Sequence, residues 1–229
     1  MTFARLGLID PLLAALATLD YKTPTPVQVQ ALPAILAGRD LMAAAQTGTG
    51  KTAGFALPLL QLLATEGAPV ASNSVRALVL VPTRELAEQV SESIRAYGQN
   101  LPLRTCAVYG GVSINPQMMK LRKGMDIVVA TPGRLLDLHR QNAIKFGQLR
   151  VLVLDEAARM LDLGFSRELD AVFAALPTRR QTLLFSATFS DAIRAMASAL
   201  LRDPLSIEAS PRNTAAQSVR QWVVPVDKK

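Results

Sequence analysis

The sequence predicts an α/β protein, with a doubly wound, mainly parallel sheet and helices on both faces. Three observations carry this. Apolar runs of four to six residues alternate with longer helical segments along most of the chain. The runs are continuous rather than alternating in polarity, as in strands buried on both faces. Polar or glycine-bearing turns follow the runs, at the strand ends where such sheets bind ligands.

Taken in order, the predicted strands are Asp40 to Ala45, Ala77 to Val81, Arg104 to Tyr109, Asp126 to Ala130, Val151 to Leu154 and Thr182 to Ala187. Helices are predicted between and after them, over Lys51 to Ala64, Arg84 to Tyr97, Pro116 to Lys123, Arg134 to His139, Ser166 to Ala175 and Asp191 to Leu201. A helix over Pro11 to Leu19 precedes the first strand, Thr23-Pro24-Thr25-Pro26 breaks it, and a short helix follows from Val27 to Leu36. SPRNTAAQS, Ser210 to Ser218, reads as a linker, and VRQWVVPV, Val219 to Val226, as the beginning of another strand. That strand either docks on the main sheet or opens a second domain. The expected division is therefore 1–209 as one domain and 210–229 as linker and start of the next.

Half of the 229 residues are hydrophobic but only 5% are aromatic, so the core is aliphatic. A net charge of +7 points towards an anionic partner such as nucleic acid, with a merely solvated basic surface as the alternative. The single cysteine, Cys106, cannot form an internal disulfide, which suits a reducing compartment. The sequence has neither a signal-like N-terminal pattern nor a long apolar run, so the expectation is a soluble, cytoplasmic protein without a membrane partner.

The first predicted strand ends in AQTGTGKT, Ala45 to Thr52. Gly48 and Gly50 let the backbone wrap phosphates, Lys51 adds a positive charge and Thr52 offers a hydroxyl to Mg2+. The strict phosphate-loop pattern begins with Gly, where this chain has Ala45. VLVLDE supplies the partner: Asp155 can hold a hydrated Mg2+, and Glu156 can orient or deprotonate an attacking water. Adjacent strand residues point to opposite faces, so the two acids are expected to divide the work. Together the motifs describe a nucleoside triphosphatase. PTRELA, Gly110-Gly111 and TPGR follow other strands, and three such turns beside one nucleotide site suggest a track for an extended polyphosphate. In the last of these, Thr131 is expected to cap a helix and Pro132 to sit in its first turn, leaving an arginine facing outward.

The motifs in this order resemble the first RecA-like domain of the DEAD-box RNA helicases, most closely the bacterial RhlE-type group. Phe3 and YKTPTPVQ, Tyr21 to Gln28, resemble the adenine-recognising Q motif, here placed within residues 1–28. AQTGTGKT is similar to motif I, PTRELA to motif Ia, Gly110-Gly111 to the GG element, TPGR to motif Ib, Asp155 onward to motif II and SAT, Ser186 to Thr188, to motif III. The resemblance implies ATP and Mg2+ as cofactors, with RNA and a second RecA-like domain as partners. Nucleotide contacts are implied for Phe3, Tyr21, Gln28, Ala45, Gln46, Thr47, Gly48, Thr49, Gly50, Lys51 and Thr52. Lys51, Asp155 and Glu156 would be catalytic, and Thr52 and Asp155 would hold the metal, partly through water. Pro82, Thr83, Arg84, Gly110, Gly111, Thr131, Pro132, Gly133 and Arg134 would grip the RNA backbone without reading its sequence.

One departure stands out. Motif II reads DEAA, with Ala158 where the family carries a carboxylate that pairs with the hydroxyls of motif III, here Ser186 and Thr188. Metal and water positioning would survive this change, while coupling to RNA would weaken. Two other functions stay open: a nucleotide-gated RNA clamp that does not unwind, and a small-molecule kinase, which leaves PTRELA, GG and TPGR unexplained. His139 has no metal-ligand spacing around it, and Cys106 and Trp222 read as packing residues.

Overall fold

Seven strands form a single sheet in the order β3-β4-β2-β5-β6-β1-β7. They are β1 (Leu41–Ala44), β2 (Val75–Leu80), β3 (Thr105–Val108), β4 (Met125–Ala130), β5 (Val151–Leu154), β6 (Gln181–Ser186) and β7 (Leu205–Glu208). Every pairing among the described residues is parallel. The computed structural model describes residues 2–45 and 48–208. The predicted contacts of Gln46 and Thr47, the linker at 210–218 and the strand at 219–226 lie outside the described residues.

Nine helices pack around the sheet among the described residues: α1 (Asp10–Thr18), α2 (Pro26–Leu36), α3 (Lys51–Glu66), α4 (Arg84–Tyr97), α5 (Asn115–Leu121), α6 (Pro132–Arg140), α7 (Ala157–Asp162), α8 (Ser166–Ala175) and α9 (Asp191–Leu200). The strands feed two core layers by simple alternation. In β2, Ala77 and Val79 join the layer of α1 to α4, while Leu78 and Leu80 join the layer of α6 to α9. In β5, Val151 and Val153 go one way and Leu152 and Leu154 the other. Both faces are covered, so the strands carry no polar alternation. Phe55 of α3 packs on Phe185 of β6 with ring centroids 5.3 Å apart, near the middle of the first layer.

The six predicted strands and eight predicted helices all form, with ends displaced by at most two residues. A strand and an α-helix escape the sequence pattern, as does a 3₁₀ turn over Phe3–Leu6. In β7 only Ile207 is buried, so LSIE has no continuous apolar run. The short α7 follows the two acids directly, where the loss of polarity marks a helix packed on the second layer through Ala157 and Met160.

Two buried charges fasten the amino-terminal edge of the sheet. The Asp40 carboxylate, just before β1, accepts the Thr182 N–H at 2.8 Å and the Arg202 N–H at 2.7 Å. It thereby ties β1 to β6 and to the approach of β7. Arg76 of β2 donates to Asp126 of β4 at 3.1 Å and to the Leu63 carbonyl of α3 at 2.8 Å. Asp126 also accepts the Arg104 N–H at 2.8 Å, which brings in β3.

Asp40→Ala would strand two backbone N–H groups. The expected cost is about 2–3 kcal/mol of unfolding free energy, read as a lower urea midpoint at unchanged m.

Candidate active site

Parallel strands bring their carboxyl ends, and the N-termini of the helices that follow, to one edge. At that edge β1 and β5 flank β6. Ala45 leaves β1 with its N–H on the Ser186 carbonyl at 3.0 Å. The chain then turns through Gly48 to Gly50 into α3, whose first residue is Lys51. Gly50 has φ +84°, and a Cβ there would lie 2.4 Å from Nε2 of Gln28. Only glycine fits both the conformation and the space. The open N–H groups of the first turn of α3 make this helix end a seat for an anion.

Gln28, 1% exposed, is the residue that crowds Gly50. Its Oε1 accepts the Thr25 N–H at 2.9 Å, and its Nε2 donates to the Gly50 carbonyl at 3.0 Å. The first bond belongs to a capping box at the start of α2. The amide therefore joins α2 to the phosphate-type loop with both of its ends occupied.

Lys51 is almost wholly buried and faces both acids, with Nζ 2.6 Å from Oε1 of Glu156 and 3.7 Å from Oδ1 of Asp155. The acids do not point to opposite faces, contrary to strand geometry. The strand ends at Leu154, and Glu156 takes a left-handed conformation, φ 58° and ψ 45°, at the start of α7. That turn swings its carboxylate round beside that of Asp155. A left-handed non-glycine residue stores strain of the kind found at functional sites.

Asp155 is 2% exposed, and its Oδ1 has no hydrogen-bond partner among the described residues. Burial pushes its carboxyl up to about 6; Lys51 opposes the rise and the Glu156 charge adds to it. An orphaned, desolvated carboxylate oxygen beside a helix N-terminus suits a hydrated divalent cation, with the half-buried Thr52 hydroxyl one residue beyond Lys51.

These groups open onto a cavity of about 430 Å3, lined by Tyr21, Gly48, Lys51, Tyr97, Asp155 and Glu156 among others. Tyr21 is 40% exposed, with its ring edge-on to Tyr97 at 5.8 Å and the two hydroxyls 3.1 Å apart. Burial raises the Tyr97 phenol above its ordinary value. Phe3 sits in a 3₁₀ turn and packs into the core, away from the cavity lining. On the other side, Ser186 is fully buried and its Oγ accepts the Ala158 N–H at 3.4 Å. Thr188 is exposed beyond the end of β6.

The neighbouring strands β2, β4 and β3 end in the three other turns. Pro82 is buried, and the Thr83 hydroxyl caps α4 by accepting the Leu86 N–H at 3.3 Å. Arg84 is exposed and lies over the Tyr109 ring, 6.0 Å from its centroid. Gly110 and Gly111 are both exposed, Gly111 with φ +79°. Thr131 stands at the cap position of α6 with Pro132 and Gly133 in its first turn, but the Thr131 hydroxyl makes no cap bond. Arg134 does not face outward. Its Nη2 donates to the Val112 carbonyl at 2.7 Å, while Nε and Nη1 are buried without partners among the described residues.

Residues 25–196 match the family described as DEAD/DEAH box helicase. The chain belongs to that family. Among DEAD-box relatives, the ATP-dependent rRNA helicase rrp3 of Sclerotinia sclerotiorum is 44% identical over 226 residues, covering 97% of this chain and 46% of that protein. The DEAD-box ATP-dependent RNA helicase CshA of Streptococcus pneumoniae is 40% identical over 226 residues, covering 99% and 42%. A DEAD box protein from Methanococcus jannaschii superposes with a TM-score of 0.84 at 36% identity, covering 92% of this chain and 56% of that one. The chain thus spans less than half the length of these two curated DEAD-box relatives.

Within this DEAD-box domain, sequence reasoning overlooked one wall of the cavity. Gln89, Ser93 and Tyr97 recur every fourth residue along α4 and line it together. That i, i+4 row of polar and aromatic groups was a legible signal.

The pH dependence of folding follows from Asp155. Its folded value of about 6 lies above the unfolded value, so the ligand-free protein binds the proton more tightly than the unfolded chain does. Its contribution to stability is therefore greatest in acid and is lost as pH rises from about 4 to about 6. Asp155→Asn is expected to raise the urea midpoint above pH 6, with the gain over wild type shrinking towards pH 4. A constant gain across that window would count against a raised Asp155.

Proposed function

We propose that residues 1–209 are the ATP-binding, N-terminal RecA-like half of a DEAD-box RNA helicase, and that 210–229 lead towards a second RecA-like domain. The observation that carries this is the meeting of Lys51, Asp155 and Glu156 at the N-terminus of α3. The RhlE-type assignment rests on the sequence resemblance, and a reducing, cytoplasmic setting on the single buried cysteine.

The chemistry follows from the groups in place. The phosphate chain lies along the Gly48 to Gly50 turn and the first N–H groups of α3. Thr52 and Asp155 would hold Mg2+, partly through water, and the bound metal would supply neutralisation of phosphate charge. Lys51 leaves Glu156 for the phosphates, and Glu156, released from its 2.6 Å ion pair, becomes free to orient or deprotonate water. Tyr21 stacks on the adenine. Gln28 has one amide N–H and one oxygen lone pair left beyond its two internal bonds, so it can read the base edge while staying tied to Thr25 and Gly50. RNA runs past Pro82, Thr83, Arg84, Gly110, Gly111, Thr131, Pro132, Gly133 and Arg134. The two buried, unpartnered guanidinium donors of Arg134 support an anionic ligand there.

Ala158 bears on coupling. Among the described residues Ser186 accepts only the long Ala158 N–H bond, where the family's carboxylate would bind it. This favours a protein that binds nucleotide and RNA but couples them weakly, close to a nucleotide-gated clamp. By itself the chain should show little RNA-stimulated hydrolysis or unwinding.

Titration with fluorescent ATP and GTP tests the core of the proposal. ATP should bind at least about tenfold tighter than GTP, Lys51→Ala should lose about tenfold or more, and Gln28→Ala should narrow the ATP preference. Equal competition by GTP would sink the adenine pocket. For coupling, Ala158→Asp in the protein carrying both RecA-like domains should raise RNA-stimulated ATP hydrolysis several-fold, on the order of one good charge-assisted hydrogen bond. An unchanged rate would remove Ala158 from the coupling path.

A further inference from the structure

One buried polar side chain has no part in the chemistry above. Gln117, on α5, is 6% exposed, and its whole amide is turned on a surface loop. Oε1 accepts the Tyr109 N–H at 3.1 Å; Nε2 donates to the Tyr109 carbonyl at 3.1 Å and to the Ser113 carbonyl at 3.4 Å. Both ends of the loop 109–113 are therefore pinned by one amide, and between them lie the exposed Gly110 and Gly111. A buried amide with its donors and acceptor committed to one loop fixes that loop's shape.

The same loop is held from two other sides. Arg134 of α6 donates to the Val112 carbonyl at 2.7 Å. From α4, Glu88 accepts the Tyr109 hydroxyl and Arg84 lies over the Tyr109 ring. The turns after β2, β3 and β4 are thus wired into one unit with Gln117 beneath it. Nothing within 4 Å would meet a Cβ at Gly110 or Gly111, so the loop's outer side is open to a ligand.

We propose that Gln117 is a positioning residue for RNA. It holds the Gly110-Gly111 turn in register with Arg84 and Arg134, so that the three turns meet successive backbone phosphates at fixed spacing. This rests on the reading of the three turns as an RNA track, and it adds a residue that touches no RNA itself.

The test compares the full chain with Gln117→Met, which keeps an unbranched side chain of similar length and removes all three hydrogen bonds. Binding of a fluorescent single-stranded RNA is titrated over a range of salt, and binding of fluorescent ATP in parallel. For Gln117→Met, RNA affinity should fall about tenfold and the slope of log affinity against log salt should flatten by about one, with ATP affinity within about twofold of the parent. The substitution removes no charge, so a flatter slope means that a phosphate has moved out of the protein's reach. If Gln117→Met does not fold, Gln117→Ala, which removes the same three hydrogen bonds without adding a long apolar side chain, is titrated in the same way and the same changes are expected. Parent-like RNA affinity and slope, or a matching fall in ATP affinity, would overturn the positioning role alone. Absence of salt-dependent RNA binding by the parent chain would overturn the RNA track and this role with it.

Discussion

A sheet whose strands all run the same way has two unlike edges, and that asymmetry governs where this chain places its polar groups. Helix C-termini and strand amino ends share one edge; helix N-termini and strand carboxyl ends share the other. At the first edge two buried charges are matched. Asp40 holds two backbone N–H groups, and Arg76 holds Asp126 and a helix carbonyl. At the second edge others are left incomplete, in Asp155 Oδ1 and in two donors of Arg134.

The division of the working edge follows from strand order. β6 sits between β1 and β5, so the turn after β1, the acids after β5 and Ser186 converge. β2, β4 and β3 lie together on the other side and present their three turns as neighbours. The proposed nucleotide and RNA sites, so arranged, would share a sheet without sharing residues, and communication between them would have to cross the β5–β2 boundary. Under that proposal the segment from Asp155 to Asp162, which begins at that boundary and packs on β6, would be the carrier, and Ala158 lies within it.

Much of this is legible in the amino-acid pattern. Strands buried on both faces need continuous apolar runs, and helices need their periodic stripe, so element order comes directly from the sequence. The motif residues lie where strands end, which places Lys51 with Asp155 and Glu156. What pattern cannot give is direction. Glu156 turns left-handed immediately after the strand, so alternation no longer describes it. Arg134 folds back onto Val112 instead of facing outward, and Gln28 commits its amide to the protein itself. β7 is hidden because an edge strand with one buried residue has no apolar run. Gln117 is hidden because a glutamine in a short basic helix carries no signal until its hydrogen bonds are seen.

The close approach of Gln28 to Gly50 has a consequence for how such a sequence can drift. A Cβ at position 50 would strike the Gln28 amide at 2.4 Å, and that amide also closes the start of α2. The two positions are therefore not independent choices. The last glycine of the loop is required by a neighbouring helix as well as by any phosphate. A descendant that lost its nucleotide would still retain this glycine for as long as it retained the glutamine. Loss of the glutamine would clear the space but leave φ +84° at position 50, so the backbone conformation would go on favouring glycine there.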